Sequence, residues 1–394
     1  MIKIIQRSVY KQLINRLQEP HPLIQVLIGA RQVGKSTLVR QVLEGLHRPF
    51  LFESADAVAS TNQVWIEQLW NRARIESAKH TNGFILAIDE IQKIQQWSET
   101  VKKCWDEDKA NGRSFSVVLL GSSKLILQQG LTESLAGRFE MIPLSHWRYH
   151  EMQEAFDFTP EQYVWFGAYP GAAGFINDEP RWKAYIRDAL ADSAISKDVL
   201  MLNRVDKPAL LRNLFETGSQ YSGQILSYNK LMGQLQGAGN TTTLAHYLQL
   251  LTQAELLGGL EKFAVGKARR KASSPKFQTY NTALVNAYKS ELFDEARQNS
   301  GLWGRAVESS IGAYLLTFSK EDFNLYYWRE RNHEVDFVLE HRNKIVALEV
   351  KTGNDVKSGM NEFQKLFNPH KVYLIGTGGI PWQEFLKIHP GELF

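Results

Sequence analysis

One cysteine, Cys104, is all that the 394 residues contain. An intramolecular disulfide is therefore excluded, which fits a reducing compartment. Long apolar runs are missing as well, and none reaches the roughly 18 residues that a membrane-spanning helix needs. Residues 1–7 do not lead into an apolar stretch followed by a small-residue cleavage site, so no secretory signal is evident. The expectation is a cytoplasmic chain without a membrane partner. Internal repeats and low-complexity tracts are lacking. Strong net charge is lacking too: the formal value is +4, so any nucleic-acid role has to rest on local basic clusters. What remains is a globular composition, 43% hydrophobic and 22% charged, at a length that predicts two or three domains.

The chain is organised around Gly29-Ala30-Arg31-Gln32-Val33-Gly34-Lys35-Ser36, which fits the phosphate-binding pattern G-x-x-x-x-G-K-[ST]. Leu23–Ile28 before it reads as a buried strand, and Thr37–Leu43 after it reads as a helix, which is the context the pattern requires. Gly29 and Gly34 let the backbone curl so that its N–H groups and the helix start face phosphates. Lys35 can reach the β- and γ-phosphates, and the Ser36 hydroxyl can ligate Mg²⁺. The expected ATP cradle is thus residues 29–37, Thr37 included. A helix over residues 3–19 precedes it, with Val9, Leu13, Ile14 and Leu17 on one face and a break at Glu19-Pro20.

The second half of the nucleotide site is Phe84–Glu90, an apolar run ending in two carboxylates. Continuous apolarity implies a strand buried on both faces of a parallel sheet, and acids at its C-terminal end lie where such sheets bind ligands. Asp89 is placed to hold Mg²⁺ through water, and Glu90 to activate the attacking water. Ser116–Ser123 is another buried strand with a polar tip, and Leu135-Ala136-Gly137-Arg138 runs into a further strand at Phe139–Leu144.

These pieces together resemble prokaryotic AAA+ ATPases whose P-loop domain is followed by a C-terminal region of unknown function. The resemblance implies a polar residue that senses the γ-phosphate, for which Ser122 and Ser123 both qualify. It implies an arginine finger at Arg138 that reaches the ATP of a neighbouring subunit in a ring or other homo-oligomer, the alternative being a surface salt bridge. It also implies a helical lid over residues 145–206, with Arg181 and Arg187 both available as a second sensor.

From Lys207 the texture changes. Pro208–Gln220, Ser227–Gln234 and Thr241–Ala254 read as three helices with a Gly-Ala-Gly-Asn turn before the third, the pattern of a helix-turn-helix. Leu256–Leu260 then leads into a hairpin-like wing. Lys267, Arg269, Arg270 and Lys271 fall in an acid-free interval there, which suits contact with DNA phosphates, although winged helices also serve as protein–protein spacers.

The last segment carries a second constellation. Gly304–Phe318 is a predicted helix bearing Glu308, and Glu334–Leu339 and Ile345–Lys351 form a predicted hairpin. Glu349 and Lys351, two apart, share a face, with Asp336 on the partner strand within reach. This resembles the PD-(D/E)xK nuclease core, with Val335 where the family name has proline. Glu308, Asp336 and Glu349 could hold Mg²⁺ or Mn²⁺, and Lys351 could polarise water or the developing phosphorane. The same fold also occurs as a non-cutting DNA-binding module.

The expected fold class is α/β: a P-loop AAA+ parallel sheet with helical lid, winged helix and C-terminal PD-(D/E)xK-like domain. Its divisions are 1–144, 145–206, 207–280 and 281–394. The expected function is ATP hydrolysis coupled to an action on DNA, with catalytic roles for Glu90, Arg138, Ser122 and Lys351. The alternative is an ATP-switched binding module with slow turnover and a non-cleaving C-terminal domain.

Overall fold

Three runs that are apolar on both faces take the middle of a parallel sheet, and two mixed runs take its edges. β1 (Ile24–Ile28), β3 (Ile85–Asp89) and β4 (Ser116–Gly121) are buried at every position, whereas β2 (Phe50–Ser54) and β5 (Phe139–Pro143) are partly exposed. The order is β2-β3-β4-β1-β5, with every pairing parallel. The computed structural model describes residues 5–20, 23–122, 134–200, 204–235, 237, 239–264, 273–319, 322–353 and 359–394. They divide into two units, Ile4–Ser145 and His146–Phe394. No helix among the described residues is long and apolar enough to cross a membrane.

In the first unit, alternate strand residues feed two separate cores. Leu27, Ala87, Val118 and Leu120 pack against α1 (Val9–Leu17) and α2 (Lys35–Gly45). Val26, Leu86, Val117 and Leu119 face α3 (Val64–Ser77) and α4 (Trp97–Ala110), which contribute Trp70 and Trp105. α1 starts later than the pattern predicts, because the chain before it carries Arg7, whose guanidinium donates to Val33 O at 3.1 Å and Ser145 O at 3.0 Å. Between α3 and α4 the buried Asp108 accepts from Trp70 Nε1 at 2.7 Å and Arg74 Nε at 2.6 Å. Cys104 lies alongside, and burial pushes its thiol up to about 11, which makes it inert near neutrality.

The second unit opens with helices Tyr149–Phe156 and Pro160–Phe166. The second is started by a Thr159–Gln162 capping box. A further helix begins at Glu179–Ala184 and continues through two widened turns, Tyr185–Ala191 and Ile195–Leu200. This segment is tied to residues 281–291. Asn286 Nδ2 donates to Trp165 O at 2.9 Å, Ala168 N donates to Asn281 Oδ1 at 3.0 Å, and Lys183 Nζ donates to the carbonyls of Lys289 and Glu291 at 2.8 and 2.7 Å.

Three helices follow, Pro208–Gln220, Tyr228–Gln234 and Thr241–Gln253. The latter two are capped by Ser227 and Asn240. A six-stranded mixed sheet comes next: β6 (Leu257–Lys262), β7 (Lys276–Thr279), β8 (Asn324–Glu330), β9 (His333–His341), β10 (Lys344–Lys351) and β11 (Lys371–Gly376). Its order is β11-β10-β9-β8-β6-β7. β6 pairs antiparallel with β7 and parallel with β8, so one sheet runs without interruption across residue 280. The helix Ser300–Leu316 packs on it.

Replacing Asp108 by Ala would strand a buried indole N–H and take one carboxylate from the largely buried Arg74 guanidinium, which keeps Asn71, Cys104 O and Glu107. Urea unfolding of Asp108→Ala should show a loss of about 3 kcal/mol. A loss below about 1 kcal/mol would mean that water satisfies both groups.

Candidate nucleotide site and acidic centre

The parallel register brings the C-terminal ends of β1, β3 and β4 to one edge of the first sheet, with Ile28 opposite Gly121 and Ile88 opposite Leu119. The glycine loop leaves β1 there. A Cβ on Gly29 would sit 2.2 Å from Leu144 O, and Gly34 has φ +92°, so both positions require glycine for different reasons. Lys35, the first residue of α2, is buried and donates from Nζ to Gly29 O at 2.9 Å and Ala30 O at 2.8 Å. A triphosphate would exchange those carbonyls for phosphate oxygens. Val33 is buried beneath the loop, while Gln32 and Thr37 are exposed and Arg31 is partly so.

Ser36 Oγ donates to Asp89 Oδ2 at 2.5 Å, so the two expected Mg²⁺-binding groups adjoin. Asp89 Oδ1 accepts from Glu90 N at 2.9 Å, and Glu90 takes a left-handed backbone conformation, φ +52°. Backbone strain of this kind clusters at functional sites. Glu90 Oε2 accepts from Gln92 Nε2 at 2.6 Å and lies 3.4 Å from Ser122 Oγ; Gln92 Nε2 is itself 3.4 Å from that hydroxyl. Gln92 therefore links the expected base to the expected sensor, a role the sequence reading missed. Ser123 lies outside the described residues.

Arg138 is elsewhere. It precedes β5 at the edge opposite the glycine loop, since Phe139 pairs with Ile24. Its Nε and Nη2 hold Asp106 at 2.7 and 3.0 Å. Within its own chain Arg138 serves as an ion-pair partner of α4 and does not reach the P-loop edge.

In the second unit, the β9–β10 pairing and the helix Ser300–Leu316 bring Glu308, Asp336, Glu349 and Lys351 into one electrostatically coupled centre. Asp336 Oδ2 accepts from Val350 N at 2.8 Å, and Lys351 Nζ lies 2.9 Å from Glu349 Oε1. A fifth member, Lys276 on β7, was not expected. It is fully buried, and its Nζ lies 2.7 Å from Glu308 Oε1, 3.3 Å from Asp336 Oδ1 and 3.7 Å from Glu334 Oε1. Burial opposes its charge, but Glu308, Asp336 and Glu334 outweigh burial and hold it above the usual lysine range.

The expected metal set of Glu308, Asp336 and Glu349 does not fit a divalent ion here. Among the described residues, no three His, Cys, Asp or Glu side chains are grouped to hold one. The physical reason is that an ammonium already stands between Glu308 and Asp336, and Lys351 takes one oxygen of Glu349. The other, Oε2, is buried without a hydrogen-bond partner. Burial, then repulsion by Asp336, raises both Glu308 and Glu349 to about 7. Arg181 stacks over Phe175, 4.5 Å from the ring centroid. Lys267, Arg269, Arg270 and Lys271 lie outside the described residues.

Strand order, the glycine loop between β1 and α2, and the acids ending β3 give the first unit a P-loop arrangement, and the α/β class expected from sequence is the one observed. Residues 21–153 match the family model described as AAA domain. Residues 158–295 and 303–384 match two models described as domains of unknown function, DUF8612 and DUF4143. An uncharacterized protein of Mycobacterium tuberculosis is 25% identical over 355 residues, covering 88% of this chain and 74% of that protein. One from Methanocaldococcus jannaschii is 23% identical over 375 residues, covering 87% and 76%. Among solved structures, the RuvB Holliday junction branch migration motor of Thermotoga maritima has a TM-score of 0.36 at 18% identity, over 65% of this chain and 90% of that one. The Orc1 protein of Aeropyrum pernix in complex with DNA has a TM-score of 0.31 at 12% identity, over 76% and 96%.

The raised carboxyls make a signed prediction. Between about 4.5 and 7 the folded protein retains protons that the unfolded chain has released, so their contribution to stability falls as pH rises through that window. Urea unfolding from ~pH 5 to ~pH 7.5 should show the native protein losing stability relative to Glu308→Gln. Parallel pH profiles would contradict the raised carboxyl.

Proposed function

We propose that the chain is a Mg²⁺-dependent ATPase of the AAA+ type, working as a homo-oligomer in the cytoplasm and coupling turnover to DNA. The observation that carries this is the convergence of Lys35, Ser36, Asp89, Glu90 and Ser122 on one sheet edge. Loop N–H groups and the start of α2 receive the phosphates, and Lys35 neutralises the β- and γ-oxygens. Bound Mg²⁺ supplies charge neutralisation and orientation of the phosphates, and the hard oxygens of Ser36 and Asp89 fit it. Glu90 takes the proton of the attacking water, with Gln92 and Ser122 fixing its carboxylate. Arg138 can act only on a neighbour's nucleotide, because its own P-loop lies at the other edge, and Asp106 has to release it first.

DNA is proposed as the partner because the basic run 267–271 sits in the connection between β6 and β7. For the acidic centre, the buried Lys276 favours the non-cleaving alternative over a metal-dependent nuclease. Asp336, Glu349 and Lys351 are then a charge network that shapes the domain.

The test is ATP turnover by the full chain, alone and with single-stranded, duplex or branched DNA. Glu90→Gln should bind ATP as tightly as the native chain and turn over at least about 100-fold more slowly, and one DNA form should raise the native rate. Native turnover in Glu90→Gln would remove that residue from the base role. A rate indifferent to every DNA would separate hydrolysis from DNA and favour the switch reading.

A further inference from the structure

A cavity of about 350 Å³ lies in the second unit, bounded by the helix Ser300–Leu316, the turn at 222–224 and the segment 282–291. That volume is within the range of small-molecule sites. It belongs to neither site above, although one wall adjoins the acidic centre: Ser309 follows Glu308, and a Cβ on Gly223 would lie 3.5 Å from Glu308 Oε1. Leu302, Arg305, Ala306 and Ser309 line it at helical i, i+3, i+4, i+7 spacing, so a single stripe of that helix forms the wall.

The lining carries two cations, Lys289 and Arg305. Among the described residues no carboxylate lies within ion-pair distance of either, although Glu291 on the same wall acts on Lys289 electrostatically. Lys289 is half-buried, with Nζ 5.5 Å from the centroid of the Trp165 ring. Burial lowers it to about 8, against the opposing effect of Glu291 and with a further lowering from Arg305. The acid on the wall, Glu291, is held ionised by its own backbone N–H and by the Ser290 hydroxyl, which lies 3.2 Å from Oε2. Hydroxyls line the other side. Ser222 and Ser309 are buried with their oxygens 2.7 Å apart. Asn286 spends its Nδ2 on Val164 O and Trp165 O, which leaves its carbonyl oxygen as the acceptor it can offer.

Two cations beside hydroxyls and amides, with an aromatic wall at Tyr288, match a doubly charged anion attached to a polar body. We propose that this cavity binds a phosphate monoester of mononucleotide size, with Lys289 and Arg305 as its phosphate contacts and Gln224 and Asn286 facing the rest of the ligand. A phosphate monoester carries close to two negative charges near neutrality, which the two cations oppose, with Glu291 the one acid on the wall. The chemistry is shared by a free nucleotide and by the 5′-phosphorylated end of a DNA strand. The site goes beyond the ATPase reading and stands without it.

Calorimetric titration of the full chain carrying Lys35→Ala, which removes binding at the P-loop, tests this with three probes: adenosine monophosphate, a 5′-phosphorylated trideoxynucleotide, and the same trideoxynucleotide without phosphate. At least one phosphorylated probe should bind one to one, and the unphosphorylated one should bind at least about tenfold more weakly. Adding Arg305→Ala or Lys289→Met should weaken that binding about tenfold or more, and Lys289→Arg should keep it within a fewfold. Arg305 is exposed, so its replacement leaves the fold intact and keeps the test decisive. Binding of the mononucleotide alone identifies a free nucleotide as the source; binding of the strand end identifies DNA. No binding by either phosphorylated probe at roughly 1 mM, or binding unchanged by both Arg305→Ala and Lys289→Met, would overturn the proposal.

Discussion

The second unit depends on one desolvated charge. Taking a lysine ammonium out of water costs several kcal/mol unless opposite charges stand close by, and Lys276, fully buried, is met by Glu308, Asp336 and Glu334. Those carboxylates come from the helix Ser300–Leu316 and from β9, whereas the ammonium comes from β7 at the far side of the sheet order. The charge therefore pins the β6–β7 pair to the sheet it borders. It also decides the chemistry of the acidic centre. Oxygen ligands that bind an ammonium at hydrogen-bond distance are not free to surround a divalent ion, and burial beside Asp336 raises Glu308 and Glu349 to about 7.

The first unit solves the opposite problem. Lys35 is held by loop carbonyls, while Asp89 is engaged by the Ser36 hydroxyl and the Glu90 N–H. Hard oxygens with neutral donors can accept Mg²⁺ without displacing a fixed cation. Parallel pairing places these groups at one edge and sends Arg138 to the other.

Much of this was legible in the sequence, for local reasons. Ile24–Ile28, Ile85–Asp89 and Ser116–Gly121 are apolar at nearly every position, which only a sheet covered on both faces demands. The glycine loop has a fixed spacing, and the two-residue period of β10 placed Glu349 and Lys351 on one face. What escaped was long-range. Lys276 closes a basic, acid-free interval; its partners lie 32 to 60 residues further on, and nothing nearby in the chain signals burial. Asp106, which claims Arg138, is likewise 32 residues away. Gln92 was the recoverable omission, since an amide two residues beyond a catalytic acid is close enough to orient it.

The claim on which the account of the second unit stands is that an ammonium takes the place of a metal. The most direct measurement is Mn²⁺ binding to the nucleotide-free full chain, read by the loss of the free-ion electron paramagnetic resonance signal. The account predicts that Asp336→Asn leaves Mn²⁺ uptake by the native chain unchanged, and that Lys276→Met gains one site, which adding Asp336→Asn removes. Tight Mn²⁺ binding by the native chain, abolished by Asp336→Asn, would contradict it.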